Sequence, residues 1–336
     1  MNCRIRSGLI LVASVLTFSA VGQNDFFFNH YMFNPSYYNP AWVGVESEAF
    51  VTAHHRSQWL GYEPSFDPLN GAPSSQLISL VIPARGKIAG VGASISNDRV
   101  ANVNTLQLKF SVAGSRKFRF GKIYVGLMPS VISQSVDFDL FRFVNPRDPL
   151  NIGGNETLTK IDFNAGLFFE SNKNFFLGVS AVNILEPSFN YGVDASIVDD
   201  LINEDPAFSV ADPNSFIKSN YLINVGTSLG ISRDFVFRPT TLIRTDFKSY
   251  TFELSGIAYY QEKMWGGLSF RRSESISLLM GYAFLNNQLK FGYAFDYVIK
   301  DREAKQPTSH EIYIRYNLPN LVFGGRKAVK TPRFNF

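Results

Sequence analysis

The chain has 336 residues and a formal net charge of +4, and only 18% of its residues are charged although 15% are aromatic. The mean hydropathy of −0.02 excludes a membrane helical bundle, and so small a net charge gives no indication of nucleic-acid binding. This composition suits a structure in which apolar and polar residues alternate.

The first predicted element is a secretory signal peptide over residues 1–22. Two arginines precede an apolar run from Gly8 to Phe18, and small residues follow the run, so we expect cleavage before Gln23. The alternative is a transmembrane anchor, but about 11 apolar residues are too few to span a bilayer. The one cysteine, Cys3, lies in this segment. The mature chain would therefore have no disulfide, thiol chemistry or zinc-thiolate site.

An aromatic segment follows at residues 23–46. Its centre reads NHYMFNPSYYNPAWVG, from Asn29 to Gly44, and shows no helix or strand period. The pairs Asn34-Pro35 and Asn39-Pro40 predict turns, because the residue before a proline is pushed out of the helical conformation. We expect a compact, irregular unit whose aromatic side chains need an apolar place to pack.

Period-two alternation dominates the rest of the chain. Near the C-terminus, for example, Phe291, Tyr293 and Phe295 share one face of a strand, and Lys290 and Asp296 share the other. About fourteen such segments occur, each about ten residues long, which is the length that a tilted strand needs to cross a bilayer. They lie at residues 48–58, 74–83, 86–97, 104–116, 121–134, 160–170, 174–183, 219–231, 235–247, 250–261, 263–272, 274–284, 288–299 and 309–317.

The connections between these segments alternate in length. Long connections are expected at 98–103, 135–159 and 184–218, and short ones at 84–85 and 171–173. Long outer loops and short periplasmic turns are typical of outer-membrane barrels. A soluble sandwich or propeller is the alternative, but its outward faces would be less aromatic. We therefore predict an all-β fold, a transmembrane outer-membrane β-barrel of about 14 antiparallel strands over residues 47–318.

An even number of strands would place both termini in the periplasm. A barrel of this size is too wide for wall side chains alone to fill it. The hypothesis is that residues 23–46 form a plug or lid, seated in or under the barrel, that helps to hold it closed.

Catalytic and metal-binding signals are weak. The chain has four histidines, and His54 and His55 would point to opposite faces of a strand, so they cannot share a metal ion. A Ser–His hydrolase with His55 or His310 as its base has no local signature. The acidic segment after Tyr191 could bind calcium, but it lacks the regular spacing of a calcium loop. We expect no enzyme activity, cofactor or metal.

Two segments are candidates for partner binding. The acidic and apolar loop between Tyr191 and Asn214 is either a self-contained cap or a docking surface, and its candidate residues are Asp199, Asp200, Leu201, Ile202 and Phe208. The basic tail at 319–336 is either disordered or a contact for a periplasmic partner, and its candidate residues are Arg326, Lys327, Lys330 and Arg333.

The aromatic segment also carries a motif of the form Q-Y-M-F-N-P…Y-N-P-A-x-x-G. The matching residues are Tyr31, Met32, Phe33, Asn34, Pro35, Tyr38, Asn39, Pro40, Ala41 and Gly44. On this motif the chain resembles the PorP/SprF family, outer-membrane proteins of type IX secretion and gliding motility in Bacteroidetes. Arg56 and Trp59, FGYAFDY from Phe291 and SHEIYIRYNL from Ser309 extend the resemblance. His30 replaces a common glutamine, and the tail beyond Leu318 departs from the family pattern.

The resemblance implies a non-enzymatic accessory protein of the outer membrane. Its expected partners are a secreted type IX substrate or adhesin, periplasmic secretion or gliding components, and outer-membrane lipid, with no nucleic acid. The alternative is a passive channel or a hydrophobic-solute transporter. That alternative predicts an open lumen in which Lys109, Glu253, Lys290 and Asp296 contact water.

Overall fold

The computed structural model describes residues 27–62, 72–141, 153–192, 214–300, 305–319 and 321–323. Within these ranges no helix has the length and apolarity to cross a membrane. The fourteen long strands are β1 (Ala49–Ser57), β2 (Ser74–Pro83), β3 (Ile88–Val100), β4 (Val103–Phe118), β5 (Gly121–Asp137), β6 (Asn155–Ser171), β7 (Phe175–Val182), β10 (Asn220–Thr227), β12 (Phe235–Thr245), β13 (Tyr250–Tyr260), β14 (Met264–Arg271), β15 (Ser275–Phe284), β16 (Leu289–Val298) and β17 (Thr308–Leu318). The short strands are β8 (Ser188–Asn190), β9 (Asn214–Phe216) and β11 (Leu229–Gly230).

The fourteen long strands form one closed antiparallel barrel, as predicted. Each pairs with its neighbours in the sequence, and β7 pairs directly with β10, past the separate hairpin of β8 and β9. The barrel closes where β1 pairs with β17, from Ala49 opposite Leu318 to Ser57 opposite His310. Closure gives each long strand a paired neighbour on both sides, which is the condition for crossing hydrocarbon with strands.

The two faces of the wall differ as the alternation predicts. On β16, Phe291 and Tyr297 are 42% and 41% exposed on the outside, while Ala294 and Asp296 are fully buried inside. The other strands present a similar outer belt of large apolar side chains, including Ile78, Phe110, Val125, Leu127, Ile161, Leu167, Leu254, Leu268, Phe270, Ile276, Met280, Ile312 and Ile314. A belt of this kind faces lipid in transmembrane barrels.

We call the end of the barrel where β1 begins and β17 ends the terminal rim, and the other end the opposite rim. The prediction of a long loop at 98–103 is wrong, because β3 and β4 remain paired up to Val100 and Val103. The predicted strand at 219–231 is interrupted at Ser228, between β10 and β11. β6 begins at Asn155 rather than at residue 160, since it pairs with the whole of β5.

The opposite rim carries a short hairpin that the sequence did not predict. Phe189 of β8 and Ile217, which directly follows β9, pack onto Ile132 and Val136 of β5. Nearby, the Tyr191 hydroxyl donates to Gln134 Oε1 at 2.9 Å, and burial raises the pKa of this phenol to about 12. The segments on either side of the acidic loop are therefore held against the opposite-rim part of β5.

Candidate functional site: the plugged lumen

The lumen is occupied by residues 27–46, which we call the plug segment. Three short 3-10 helices, Tyr31–Phe33, Pro35–Tyr37 and Pro40–Gly44, make up most of it. The second and third begin at the two prolines, whose fixed φ suits a first helical position. The Asn39 side chain accepts a hydrogen bond from Ala41 N at 3.0 Å and so caps the third helix.

Glu311 of β17 holds Asn29 and His30 near the start of the plug segment. Its Oε2 accepts from Asn29 N at 2.6 Å, and its Oε1 accepts from His30 N at 3.1 Å and from His30 Nδ1 at 2.8 Å. Both Glu311 and His30 are fully buried. One carboxylate thus satisfies two main-chain donors of the plug segment, and hydrogen bonds to a charged acceptor are stronger than neutral ones.

Further charged side chains surround this contact. Arg56 Nη2 lies 2.7 Å from Asp296 Oδ2, and Arg56 Nη1 lies 3.6 Å from Glu311 Oε2. Arg271 pairs with Glu253 at 3.0 Å and also donates to Asn29 Oδ1 at 3.0 Å. The ion pairs of the wall are therefore joined to the plug segment through its own polar groups.

Wall hydroxyls bind the remaining polar groups of the plug segment. Tyr31 Oη bonds to Thr240 Oγ1 at 3.0 Å, Asn34 Nδ2 donates to Ser79 Oγ at 2.6 Å, and Ser180 Oγ donates to Tyr38 O at 2.8 Å. These partners lie on β12, β2 and β7, so contacts reach widely separated parts of the wall. Small polar residues on the inner face are therefore matched to the plug segment.

Glycines of the wall provide room for the third 3-10 helix. A Cβ on Gly126 would lie 2.2 Å from Ala41 N, and one on Gly90 would lie 1.8 Å from Val43 O. A Cβ on Gly166 would lie 2.1 Å from Asn39 Oδ1. The backbone of the plug segment thus touches the backbone of the wall directly.

Aromatic side chains fill the space elsewhere. Phe28 lies against His54 with ring centroids 5.0 Å apart, and Phe27 lies under the Arg244 guanidinium at 3.6 Å. Phe33 packs against Trp265 at 5.3 Å. The first described residue therefore lies inside the lumen, toward the opposite-rim end of β12.

The structure places the whole predicted motif in the lumen. Within it, Tyr31, Asn34, Pro35, Tyr38, Asn39, Pro40, Ala41 and Gly44 are buried, and Met32 and Phe33 are partly buried. Glu311, Arg271 and Asn29 were not among the predicted site residues. Charged residues at inward positions were the available signal, but the sequence does not show which segment they meet.

The candidate partner-binding residues, both in the acidic loop and in the tail, lie outside the described residues. The structure does describe the residues from which the loop and the tail leave the barrel. The loop leaves from the hairpin of β8 and β9, and the tail follows a contact in which Phe323 N donates to Pro83 O at 2.8 Å and Arg85 N donates to Phe323 O at 3.2 Å. The loop therefore starts at the opposite rim and the tail at the terminal rim.

The histidines considered as bases have ordinary local partners. His55 is exposed and its Nε2 lies 3.1 Å from Ser57 Oγ, while His310 Nδ1 lies 2.6 Å from Tyr293 Oη. Across the described ranges, no group of three or more histidine, cysteine, aspartate or glutamate side chains could hold a metal ion.

A closed antiparallel barrel with a lipid-facing belt and a lumen filled by its own N-terminal segment is a plugged transmembrane barrel of the outer-membrane class. The model of the type IX secretion system membrane protein family PorP/SprF matches residues 20–316. The chain belongs to this family and is a membrane protein of type IX secretion.

Solved structures show the same fold at low identity. The Ralstonia pickettii toluene transporter TbuX is 11% identical, with a TM-score of 0.50 over 90% of this chain and 96% of its own. A Pseudomonas aeruginosa FadL homologue is also 11% identical, with a TM-score of 0.48 over 90% and 96%. No curated protein matches the sequence.

Proposed function

We propose that this chain is a non-enzymatic accessory protein of type IX secretion and gliding, a closed barrel that binds a secreted substrate or adhesin and periplasmic secretion components. The observation that carries the proposal is the plug segment, anchored on Glu311. A barrel whose lumen is filled acts through its rims rather than as a pore.

The state of the inner charges supports this proposal over an open channel. A channel would expose Lys109, Glu253, Lys290 and Asp296 to water. Lys109, Glu253 and Asp296 are 6%, 2% and 0% exposed, whereas Lys290 is half-buried and lines a cavity. Glu253 and Asp296 pair with wall arginines, and Lys109 Nζ lies 4.0 Å from the centre of the Tyr37 ring in the plug segment. Ion flow would require these contacts to break.

The rims supply the proposed binding surfaces. The acidic loop leaves from a hairpin packed on β5, and the tail leaves beside the turn between β2 and β3. The connections at the opposite rim include the longest ones, as expected for the cell exterior. We assign the loop to the secreted partner and the basic tail to a periplasmic component.

Affinity purification of the tagged chain from its own outer membranes in mild detergent tests this assignment. We expect a secreted protein and periplasmic components to copurify at near-equal amounts. Neutralising Asp199 and Asp200 to asparagine should remove the secreted protein only. Neutralising Arg326, Lys327, Lys330 and Arg333 to glutamine should remove the periplasmic components only.

Each charge variant is the matched control for the other, because both leave the barrel and the plug segment unchanged. A chain that purifies alone contradicts the proposal. So does a set of partners that both variants leave intact.

A transporter of hydrophobic solutes is the second candidate function, and a cavity beside the plug segment favours it. This candidate predicts solute uptake that depends on the chain, with no copurifying protein. Single-channel recording of the plugged barrel distinguishes such a transporter, which would conduct no ions, from an ion-conducting pore.

A further inference from the structure

A cavity of about 460 Å³ lies between the plug segment and the wall. Its lining includes Glu170, Ser228, Glu262 and Lys290, which lie at the terminal-rim ends of their strands or in the adjoining turns. Pockets that hold small ligands occupy roughly 300–1,000 Å³. The cavity is therefore large enough for a ligand and is reached from the terminal rim.

The plug segment meets the wall in two ways. On one side its backbone touches the wall at glycines such as Gly126. Around the cavity the contacts are instead between large side chains, and Phe176 and Trp265 of the wall pack against Trp42 and Phe33 of the plug segment. The cavity is thus bounded by both the plug segment and the wall.

Two aromatic groups line the cavity. Trp42 lies edge-on to Phe168, with ring centroids 4.5 Å apart, and Phe33 packs against Trp265 at 5.3 Å. The plug segment and the wall each contribute one tryptophan. Aromatic rings arranged in this way can pack against the apolar part of a ligand, either a flexible chain or a planar ring.

Some charged and polar side chains of the cavity have a partner within the chain, and others do not. Arg315 pairs with Glu46 at 3.1 Å, and Arg238 lies 3.9 Å from Glu262. Lys290 is half-buried and forms no hydrogen bond or ion pair with any other described residue. Trp265 is 5% exposed, and its Nε1–H has no hydrogen-bond partner within the described part of the chain. Lys290 is thus the cation of the lining that an anionic acceptor would meet.

We propose that this cavity binds an amphipathic carboxylate, with the carboxylate at Lys290 and the apolar body among the aromatic rings. The site goes beyond the proposed secretion role and does not depend on it. Both a free fatty acid and an aromatic carboxylic acid have this chemistry. A competition binding experiment distinguishes between them.

Tryptophan fluorescence provides the test, because Trp42 and Trp265 line the cavity and the third tryptophan, Trp59, lies beyond the opposite-rim end of β1. The W59F protein in lipid nanodiscs is titrated with dibromostearate, whose bromines quench nearby tryptophans. We expect saturable quenching of more than half the signal. The methyl ester should need at least tenfold more ligand, and K290Q should shift the midpoint about tenfold higher.

The W42F/W265F protein, which keeps only Trp59, is the matched control and should show no saturable quenching. Displacement of dibromostearate by hexadecanoate supports a fatty acid as the natural ligand, and displacement by 2-naphthoate supports an aromatic acid. Displacement by neither, quenching that does not saturate, or equal midpoints for acid, ester and K290Q overturns the proposal.

Discussion

Replacing Glu311 with glutamine will loosen the plug segment and make the barrel leak ions. Glutamine keeps one oxygen and places an NH₂ at the other position, so either Asn29 N, which bonds to Oε2, or the His30 donors, which bond to Oε1, lose their acceptor. It also removes one partner from a buried charge cluster that includes Arg56, a change that costs about 3 kcal/mol or more. We expect intermittent conductance steps in planar bilayers, and lower stability in urea measured from the gel mobility of the folded barrel.

The matched control is Glu48→Gln. Glu48 is exposed just before β1 and accepts from Asn317 Nδ2 at 3.3 Å. An exposed polar contact of this kind contributes about 0–1 kcal/mol, so the control should remain closed and stable. Equal stability and equal conductance in the two variants would show that Glu311 does not anchor the plug segment.

Replacing Gly126 with valine will displace the plug segment without altering any charge. A Cβ at this position would overlap the backbone at Pro40 and Ala41, at 2.3 Å and 2.2 Å. The valine itself is compatible with a strand, so the third 3-10 helix must move. We expect a persistent ion conductance and a loss of about 3 kcal/mol, at the upper end of the usual cost of overpacking.

Gly114→Val is the control for this substitution. Gly114 lies on the neighbouring strand β4, and a Cβ there meets only Lys87 O, at 3.7 Å. This variant should fold, unfold and conduct as the unmodified chain does. A closed G126V barrel would mean that the plug segment does not press on the wall at this position.

The strands could be predicted from the sequence because each needs only local information. Residues along a strand alternate between the lipid side and the lumen side. The local pattern alone therefore assigns Phe291 to the lipid side and Asp296 to the lumen side. The Asn-Pro pairs likewise predict local turns. The closed barrel follows from the number and length of these segments.

The contacts of the plug segment could not be predicted, because they join distant parts of the chain. Glu311 meets Asn29 across 282 positions in the sequence, and nothing local to either residue specifies the other. Inward charges such as Asp296 suit a water-filled channel equally well until a partner is seen. The hairpin of β8 and β9 was missed because its strands are three residues long and border a polar, acidic loop.

Disulfide trapping tests most directly whether the plug segment lies in the lumen. The mature chain is expected to have no cysteine, and Val43 Cγ1 lies 2.9 Å from the position of a Cβ on Gly92, close enough for a disulfide. We predict that V43C/G92C cross-links in intact cells and that V43C/A93C, whose second cysteine points to lipid, keeps two free thiols. Free thiols in both pairs, or equal cross-linking of both, would contradict a plugged barrel.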